Sequence, residues 1–477
     1  MGLSQGSLVV VQFGASVVIA RLLTPYEMGI FAIAVATVGL LSIIRALGLP
    51  AYLVRSTALT ESLLSSVFTV NAIINILLAS IIAGLSVLGG ALLGEPGVQR
   101  SLLVMALVPL LGIFDFLPAT LIERAGNFRV IALLGLVRSV VASGVAVALA
   151  FAGFSYMSLV YGQVVSAVAS VIGFNILGWR DVRLRIGFQD WRNVMRYALQ
   201  MVGISGVTIF ATRMSDIVLG RVLGLDALGL YSRASGLSGM LWENLHLGIQ
   251  RIVFVDFSNQ KRDGLSLRVG YLHVLRMVTA ALWPGFAGLA VLAGPVVLTL
   301  YGDTWIAAAT PLSILCVATL ILVAITMTWE VFNVSHETAR QAKMEFIRAG
   351  VALMLFTLGC LGGLVTAALA RVGESCFSVV LYRSHMERMT DTRWRDILPI
   401  YRESALLTVL AVLPAVLMMT FYRWSPAAPL PAVAASVLAG VAAWLAGAAV
   451  LRHPLSTEIG LAVSSLGLGS LLRRWRR

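Results

Sequence analysis

From near Met1 to about Val450 the chain is a succession of apolar runs parted by short polar stretches. Most runs reach the 20 or so residues that a helix needs to cross a bilayer. No polar stretch is long enough for a soluble domain. Of the 477 residues, 59% are hydrophobic and 12% charged, where an ordinary soluble chain has roughly 25% charged. The expected fold is therefore all-α: a polytopic membrane protein whose single membrane domain takes up nearly the whole chain.

The runs place helices at 3–22, 28–49, 63–93, 101–121, 130–152, 156–178, 196–220, 228–254, 268–299, 305–333, 342–358, 363–383, 403–422 and 430–450, fourteen in all. Alternating the loops sorts the basic residues into two sets. One set holds Arg55, then Arg124 and Arg129, then Arg180, Arg183, Arg185, Arg192 and Arg196, then Lys261, Arg262 and Arg268, then Arg340 and Lys343, then Arg383, Arg388, Arg393, Arg395 and Arg402, and Arg452 with the closing Arg473, Arg474, Arg476 and Arg477. The other holds Arg21, Arg100, Arg221 and Arg423, with Arg233 a little inside the eighth helix. Cytoplasmic loops are the Arg- and Lys-rich ones, so the count is even and both termini are expected in the cytoplasm.

This distribution also accounts for the net charge of +13. It lies between apolar runs and forms no basic stripe with interleaved aromatics of the kind that binds nucleic acid. Trp475 among the closing arginines suits either a tail lying on an anionic leaflet or a solvated one. Cys316, Cys360 and Cys376 fall in or beside apolar runs without close spacing, which predicts buried, inert thiols and no zinc site. Met1 to Gln5 carries no basic side chain, so the first run is expected to be a retained helix and not a cleaved signal.

One turn is written twice. ARLLTPYEMGIFAIA (Ala20 to Ala34) returns 200 residues later as GRVLGLDALGLYSRA (Gly220 to Ala234). From Val18 to Gly48 this register gives nine identities in 31 positions, among them Arg21 on Arg221, Gly29 on Gly229 and Gly39 on Gly239; composition alone would give roughly three. A looser echo joins Gly126–Arg138 to His336–Arg348. The implied organisation is a six-helix bundle at 1–180, a cytoplasmic linker at 181–195, a second bundle at 196–383, a cytoplasmic loop at 384–402, two further helices at 403–450 and a basic tail at 451–477. Six is even, so the halves are parallel repeats about an axis along the membrane normal, an arrangement that transporters use to build a substrate path.

Charge inside the spans points to that path. An Arg or Asp at a helix centre costs roughly 2.5 to 3.5 kcal/mol on insertion scales, so such a residue faces a cavity or a partner. Arg213 and Asp216 share one helix face, as do Glu243 and His246 beside Trp242. Arg45, Asp115, Arg138, Arg251, Glu330, Asn333, Glu345 and Arg348 complete the set. One reading neutralises Arg213 with Asp216 and lets Arg45, Arg138, Arg251 and Arg348 snorkel to the interface. The other gathers Arg45, Arg138, Arg213, Arg251, Arg348, Trp242 and His246 into a cationic cavity for an anionic substrate. A diphosphate near several arginines would gain on the order of 4 kcal/mol per close contact at an effective dielectric of 20. Asp216, Glu243 and Glu330 then serve either to bind a coupling proton or cation or to pair with arginine. No GxxxxGK[ST] or HExxH motif occurs, and the GxSxG match at Gly2 to Gly6 has no strand before it, so enzymatic chemistry is not expected.

ARLLTPYEMGIFAIA resembles the first helix-to-helix turn of Wzx-type polysaccharide flippases, in the multidrug/oligosaccharidyl-lipid/polysaccharide exporter superfamily. MSDIVLGRVLGLDALGLYSRASGL (Met214 to Leu237) resembles the matching second-half segment, with Asp216, Gly220, Gly224, Gly229 and Tyr231 carrying the pattern. The resemblance implies two six-helix bundles in a V shape and two extra helices. It also implies an oligosaccharide on undecaprenyl diphosphate as substrate, flipped across a bacterial inner membrane for exopolysaccharide, capsule or O-antigen assembly. The partners expected are the lipid-linked oligosaccharide, membrane lipids and other polysaccharide assembly proteins; no cofactor is expected beyond coupling to a proton or sodium gradient. A small-molecule exporter of the same superfamily and an integral-membrane polymerase are the alternatives. The family usually has more polar sequence before its first helix and a proline midway along the eighth, absent near Leu241 to Gly248. Arg21 and Arg221, symmetric at the outward corner, are the expected outer gate.

Overall fold

The computed structural model describes all residues except 1, 46–48, 57, 94, 179–184 and 456–477, and within the helices it excludes the side chains of 2–8, 44, 45, 51, 55, 88–93, 178, 193, 197–205, 208, 244–252 and 255. Every regular element among the described residues is helical. Each of the fourteen expected segments falls mainly on helix. Among the described residues, ten stretches are long and apolar enough to cross a membrane, while Val9–Leu22 and Pro25–Leu41 are shorter apolar helices. The chain is a multi-pass membrane protein. Its contacts divide it into two units, Met1–Ser232 and Arg233–Arg477.

The first unit holds α1 (Gly2–Leu22), α2 (Pro25–Leu41), α3 (Leu49–Arg55), α4 (Glu61–Leu93), α5 (Pro96–Met105), α6 (Leu107–Arg124), α7 (Phe128–Phe151), α8 (Met157–Gly178) and α9 (Trp191–Leu223). It closes with the first turns of α10 (Leu225–Arg262). Leu53, Val67, Leu78, Leu117 and Val194 form a buried core where α3, α4, α6 and α9 meet. Helix α2 packs along α9.

The duplicated turn reaches a similar shape by two chemistries. Between α1 and α2, Thr24 is extended and Pro25 opens the helix. The Thr24 N–H donates to Glu27 Oε2 at 2.7 Å and the Glu27 N–H donates to Thr24 Oγ1 at 3.3 Å, a capping box that satisfies two otherwise orphaned donors. Ser155 Oγ also donates to Glu27, tying this corner to the turn before α8. Between α9 and α10 the same position is Gly224, whose φ of 89° strongly favours glycine.

The second unit continues α10 and adds α11 (Arg268–Val291), α12 (Ala293–Tyr301), α13 (Ala309–Val323), α14 (Thr328–Val334), α15 (Thr338–Leu361), α16 (Leu364–Thr390), α17 (Trp394–Phe421) and α18 (Leu430–Val450). The last two helices are fastened to α11 by bonds between groups that apolar surroundings would otherwise strand. Thr279 Oγ1 and Ser404 Oγ lie 2.8 Å apart, and Trp444 Nε1 donates to the Ala280 carbonyl at 2.9 Å.

Several boundaries differ from expectation. The 305–333 segment is not one helix: α13 stops, Met327 takes a left-handed conformation at φ 63°, and α14 starts again. Tyr401 of α17 donates to the Ala324 carbonyl at 2.5 Å, satisfying an acceptor at the break. The 268–299 segment is likewise two helices, parted at Leu292.

The stretch 384–402, expected as a loop, is mostly helix. Its only sharp turn lies at Asp391–Arg393, where Arg383 donates to the Thr392 carbonyl at 2.6 Å and stacks 5.1 Å from the Trp394 ring. The expected linker 181–195 is also shorter, because α9 begins at Trp191. Of the three cysteines, Cys316 and Cys360 are buried as expected, whereas Cys376 is exposed on α16.

Candidate functional site

Arg213 lies ten residues before the end of α9, about 15 Å along the helix axis at 1.5 Å per residue. Its Nη1 is 3.7 Å from Asp216 Oδ2, and its side chain keeps 37% of its surface exposed. The stem runs across Gly39 of α2: a β-carbon built on Gly39 would be 2.6 Å from Arg213 Nε, 3.0 Å from Cδ and 3.3 Å from Cζ. Sequence periodicity paired Arg213 with Asp216 but had no means of adding Gly39, which comes from another helix.

Arg348 is held quite differently. On α15 its Nη2 donates to Glu345 at 2.7 Å, and its Nη1 donates to Glu374 of α16 at 2.8 Å. Arg371 donates to the other Glu374 oxygen at 2.8 Å and lies 4.5 Å from the Phe356 ring, while Tyr382 donates to Glu345 at 2.7 Å. Two arginines and two carboxylates thus neutralise one another within the α15–α16 pair. Glu374, Arg371 and Tyr382 were not among the sequence candidates, although Arg371 and Glu374 show the same three-residue spacing as Glu345 and Arg348.

Glu330 is buried in α14, just past the helix break, with 1% of its surface exposed. In the first unit, Asp115 accepts from Ser170 Oγ at 2.6 Å, joining α6 to α8. Arg138 is exposed on α7 among the exposed apolar residues Leu133, Val137 and Val140. Glu243 is exposed and Trp242 half-buried on α10. The side chains of Arg45, His246 and Arg251 lie outside the described residues. Arg21 and Arg221 end α1 and α9 and are both exposed.

Beside these arginines the two copies of the turn meet. A β-carbon on Gly29 would fall on the Leu225 carbonyl, and one on Gly229 would fall on the Pro25 carbonyl, 2.7 Å from its carbon and 3.1 Å from the Gly29 nitrogen. In the 200-residue register Gly29 matches Gly229 and Pro25 matches Leu225, so the contact is reciprocal. One turn further in, Ile33 is fully buried and lies against Gly220. The corner is closed by backbone on backbone, with the arginines at its rim.

Comparison with known proteins agrees with the resemblance drawn from the two turns. The chain is 28% identical over 292 residues to the succinoglycan biosynthesis transport protein ExoT of Rhizobium meliloti (strain 1021), covering 60% of this chain and 58% of that one. It is 22% identical over 313 residues to the lipopolysaccharide biosynthesis protein WzxC of Escherichia coli (strain K12), covering 64% and 62%. The matched region thus spans less than two thirds of either relative.

The fold is shared with the lipid II flippase MurJ in an inward closed conformation, at a TM-score of 0.73 and 14% identity over 95% of this chain and 99% of that one. It is also shared with an inward-facing MATE family transporter of the MOP superfamily, at 0.57 and 13% over 81% and 96%. The polysaccharide biosynthesis protein family matches residues 18–310. That is more than half the sequence, and the chain belongs to this family.

Proposed function

We propose that this chain is a flippase: by alternating access it moves oligosaccharide repeat units on undecaprenyl diphosphate from the cytoplasmic to the periplasmic leaflet of a bacterial inner membrane, for exopolysaccharide, capsule or O-antigen assembly. The observation that carries this reading is Arg213. It is a cation about 15 Å along α9 from the helix end, held loosely enough by Asp216 to keep much of its surface open, as an anchor for a diphosphate requires. Family membership and the names of the relatives support the substrate class.

In this reading Arg213 has the leading role among the arginines and Arg348, saturated by two carboxylates, a lesser one. Glu330, Asp216 and Glu243 are the candidates for coupling to a proton or sodium gradient. The arginine-rich loops put both termini in the cytoplasm, and the corner at Arg21 and Arg221 acts as the outer gate. The repeat divides the chain into bundles at 1–180 and 196–383.

Deletion of the gene tests the flippase reading directly. Lipid-linked repeat units should accumulate in the cytoplasmic leaflet and polymer should be lost. Accumulation in the outer leaflet would mean a polymerase, and unaltered polymer with lost dye efflux would mean a small-molecule exporter.

A further inference from the structure

We infer that Gly39 is a positioning residue for Arg213: the glycine is there to seat the arginine stem, and through it the guanidinium offered to the anionic head of the substrate. The inference rests on the flippase reading for the word substrate, but the seat itself rests on geometry.

The three atoms nearest to a Gly39 β-carbon, at 2.6, 3.0 and 3.3 Å, all belong to the Arg213 side chain. Neighbouring carbons ordinarily sit about 3.5–4.0 Å apart, so 2.6 Å to Nε leaves the arginine no choice but to move. Its ion pair to Asp216, at 3.7 Å, is too long for a strong charge-assisted hydrogen bond and does not fix where the guanidinium points. The bare face of α2 does. Arg348 shows the alternative, a guanidinium fixed by carboxylates at 2.7 and 2.8 Å.

The duplication supplies an internal control. Gly239 is the counterpart of Gly39, and a β-carbon there meets nothing within 4 Å among the described residues. The counterpart of Arg213 is Phe13. Both halves carry the glycine, but among the described residues a guanidinium lies against Gly39 and none against Gly239.

The experiment uses the full-length protein. Gly39→Val, Gly39→Ala, Gly239→Ala, Arg213→Ala and the Gly39→Val/Arg213→Ala double variant are compared for polymer export in cells. The purified proteins are compared for melting temperature with and without undecaprenyl diphosphate. Gly39→Val should lower export at least tenfold and lose most of the stabilisation by undecaprenyl diphosphate, Gly39→Ala should do so partially, and Gly239→Ala should match wild type. Without ligand, any loss of melting temperature in Gly39→Val should disappear in the Arg213→Ala background, where the valine has room.

If that loss persists undiminished without the arginine, Gly39 is a helix-packing glycine and the inference fails. It fails equally if Gly39→Val retains full export and full stabilisation. If instead wild type gains nothing from undecaprenyl diphosphate and Arg213→Ala exports normally, the substrate reading fails, while the unliganded double-variant comparison still decides whether Gly39 seats Arg213.

Discussion

Replacing Gly229 by alanine puts the outer gate to a quantitative test. The new methyl would sit 2.7 Å from the Pro25 carbonyl carbon and 3.1 Å from the Gly29 nitrogen, where about 3.5 Å or more is normal. Both obstacles are backbone, so no rotamer change relieves them, and the two turns must part by about 1 Å. Overpacking of this kind costs about 1–3 kcal/mol. The cost falls on the state in which the turns touch and is absent once they separate. A differential of 1–3 kcal/mol shifts such an equilibrium about 5- to 150-fold towards the separated state.

Ile33→Cys is the reporter. Ile33 is fully buried and lies four residues, about 6 Å, inside Gly29. A membrane-impermeant maleimide applied to intact cells should label this cysteine slowly in the otherwise unaltered protein and at least fivefold faster beside Gly229→Ala. Gly29→Ala should act alike because the contact is reciprocal, and the two together should gain little over either one. Unchanged labelling with unchanged export in both single variants would refute the idea that this crossing seals the outward side.

Other predictions follow from the charges. Arg213→Glu should abolish export with protein level and membrane insertion intact, measured as secreted polymer against immunoblot, and Arg45→Glu should behave likewise if Arg45 shares the cavity. Glu374→Gln leaves Arg348 and Arg371 short of a nearly buried counter-ion and should cost about 3–5 kcal/mol, read as a fall in melting temperature. Glu337→Gln, which breaks the more exposed pairs to Arg340 and Arg388, should cost under about 1 kcal/mol.

His453, beyond the end of α18, supplies a pH dependence. Burial lowers its pKa, as do Arg276 and His273 of α11, against an opposing pull from Glu403 of α17. Its Nδ1 accepts from the Leu455 N–H at 3.2 Å, a bond that needs the ring nitrogen unprotonated. The unfolded chain takes up a proton near pH 6.5 and the folded one only at lower pH, so stability should fall as pH drops below about 6.5. His453→Asn should flatten that part of the melting profile between pH 7.5 and 5.5; an identical slope would count against it.

The helical plan and the doubled turn were legible because each leaves a one-dimensional trace: apolar runs of membrane-crossing length, and glycines recurring at one spacing. The break before α14 left none. Val323 to Thr328 carries neither proline nor glycine, and the hydroxyl that accommodates the break belongs to Tyr401, more than seventy residues away. The stretch 384–402 looked like loop because it is charged, yet polar helix outside a bilayer is charged too. For the site, Arg213 with Asp216 and Arg348 with Glu345 were visible as pairs on single helices. Gly39 and Glu374 were not, because each acquires its meaning from a neighbouring helix whose rotation the sequence does not display.

The meeting of Gly29 with Leu225 and of Gly229 with Pro25 has the form of a two-fold dimer contact, in which residue i touches j and j touches i. Here both partners lie on one polypeptide. A homodimer must make every change twice, once in each subunit, so such a joint can only evolve symmetrically. Fusion into one chain removes that constraint. The capping box at Thr24 where the other copy has a left-handed glycine at Gly224, and Ile33 standing where the other copy has Arg233, are differences between the two sides that a single chain permits.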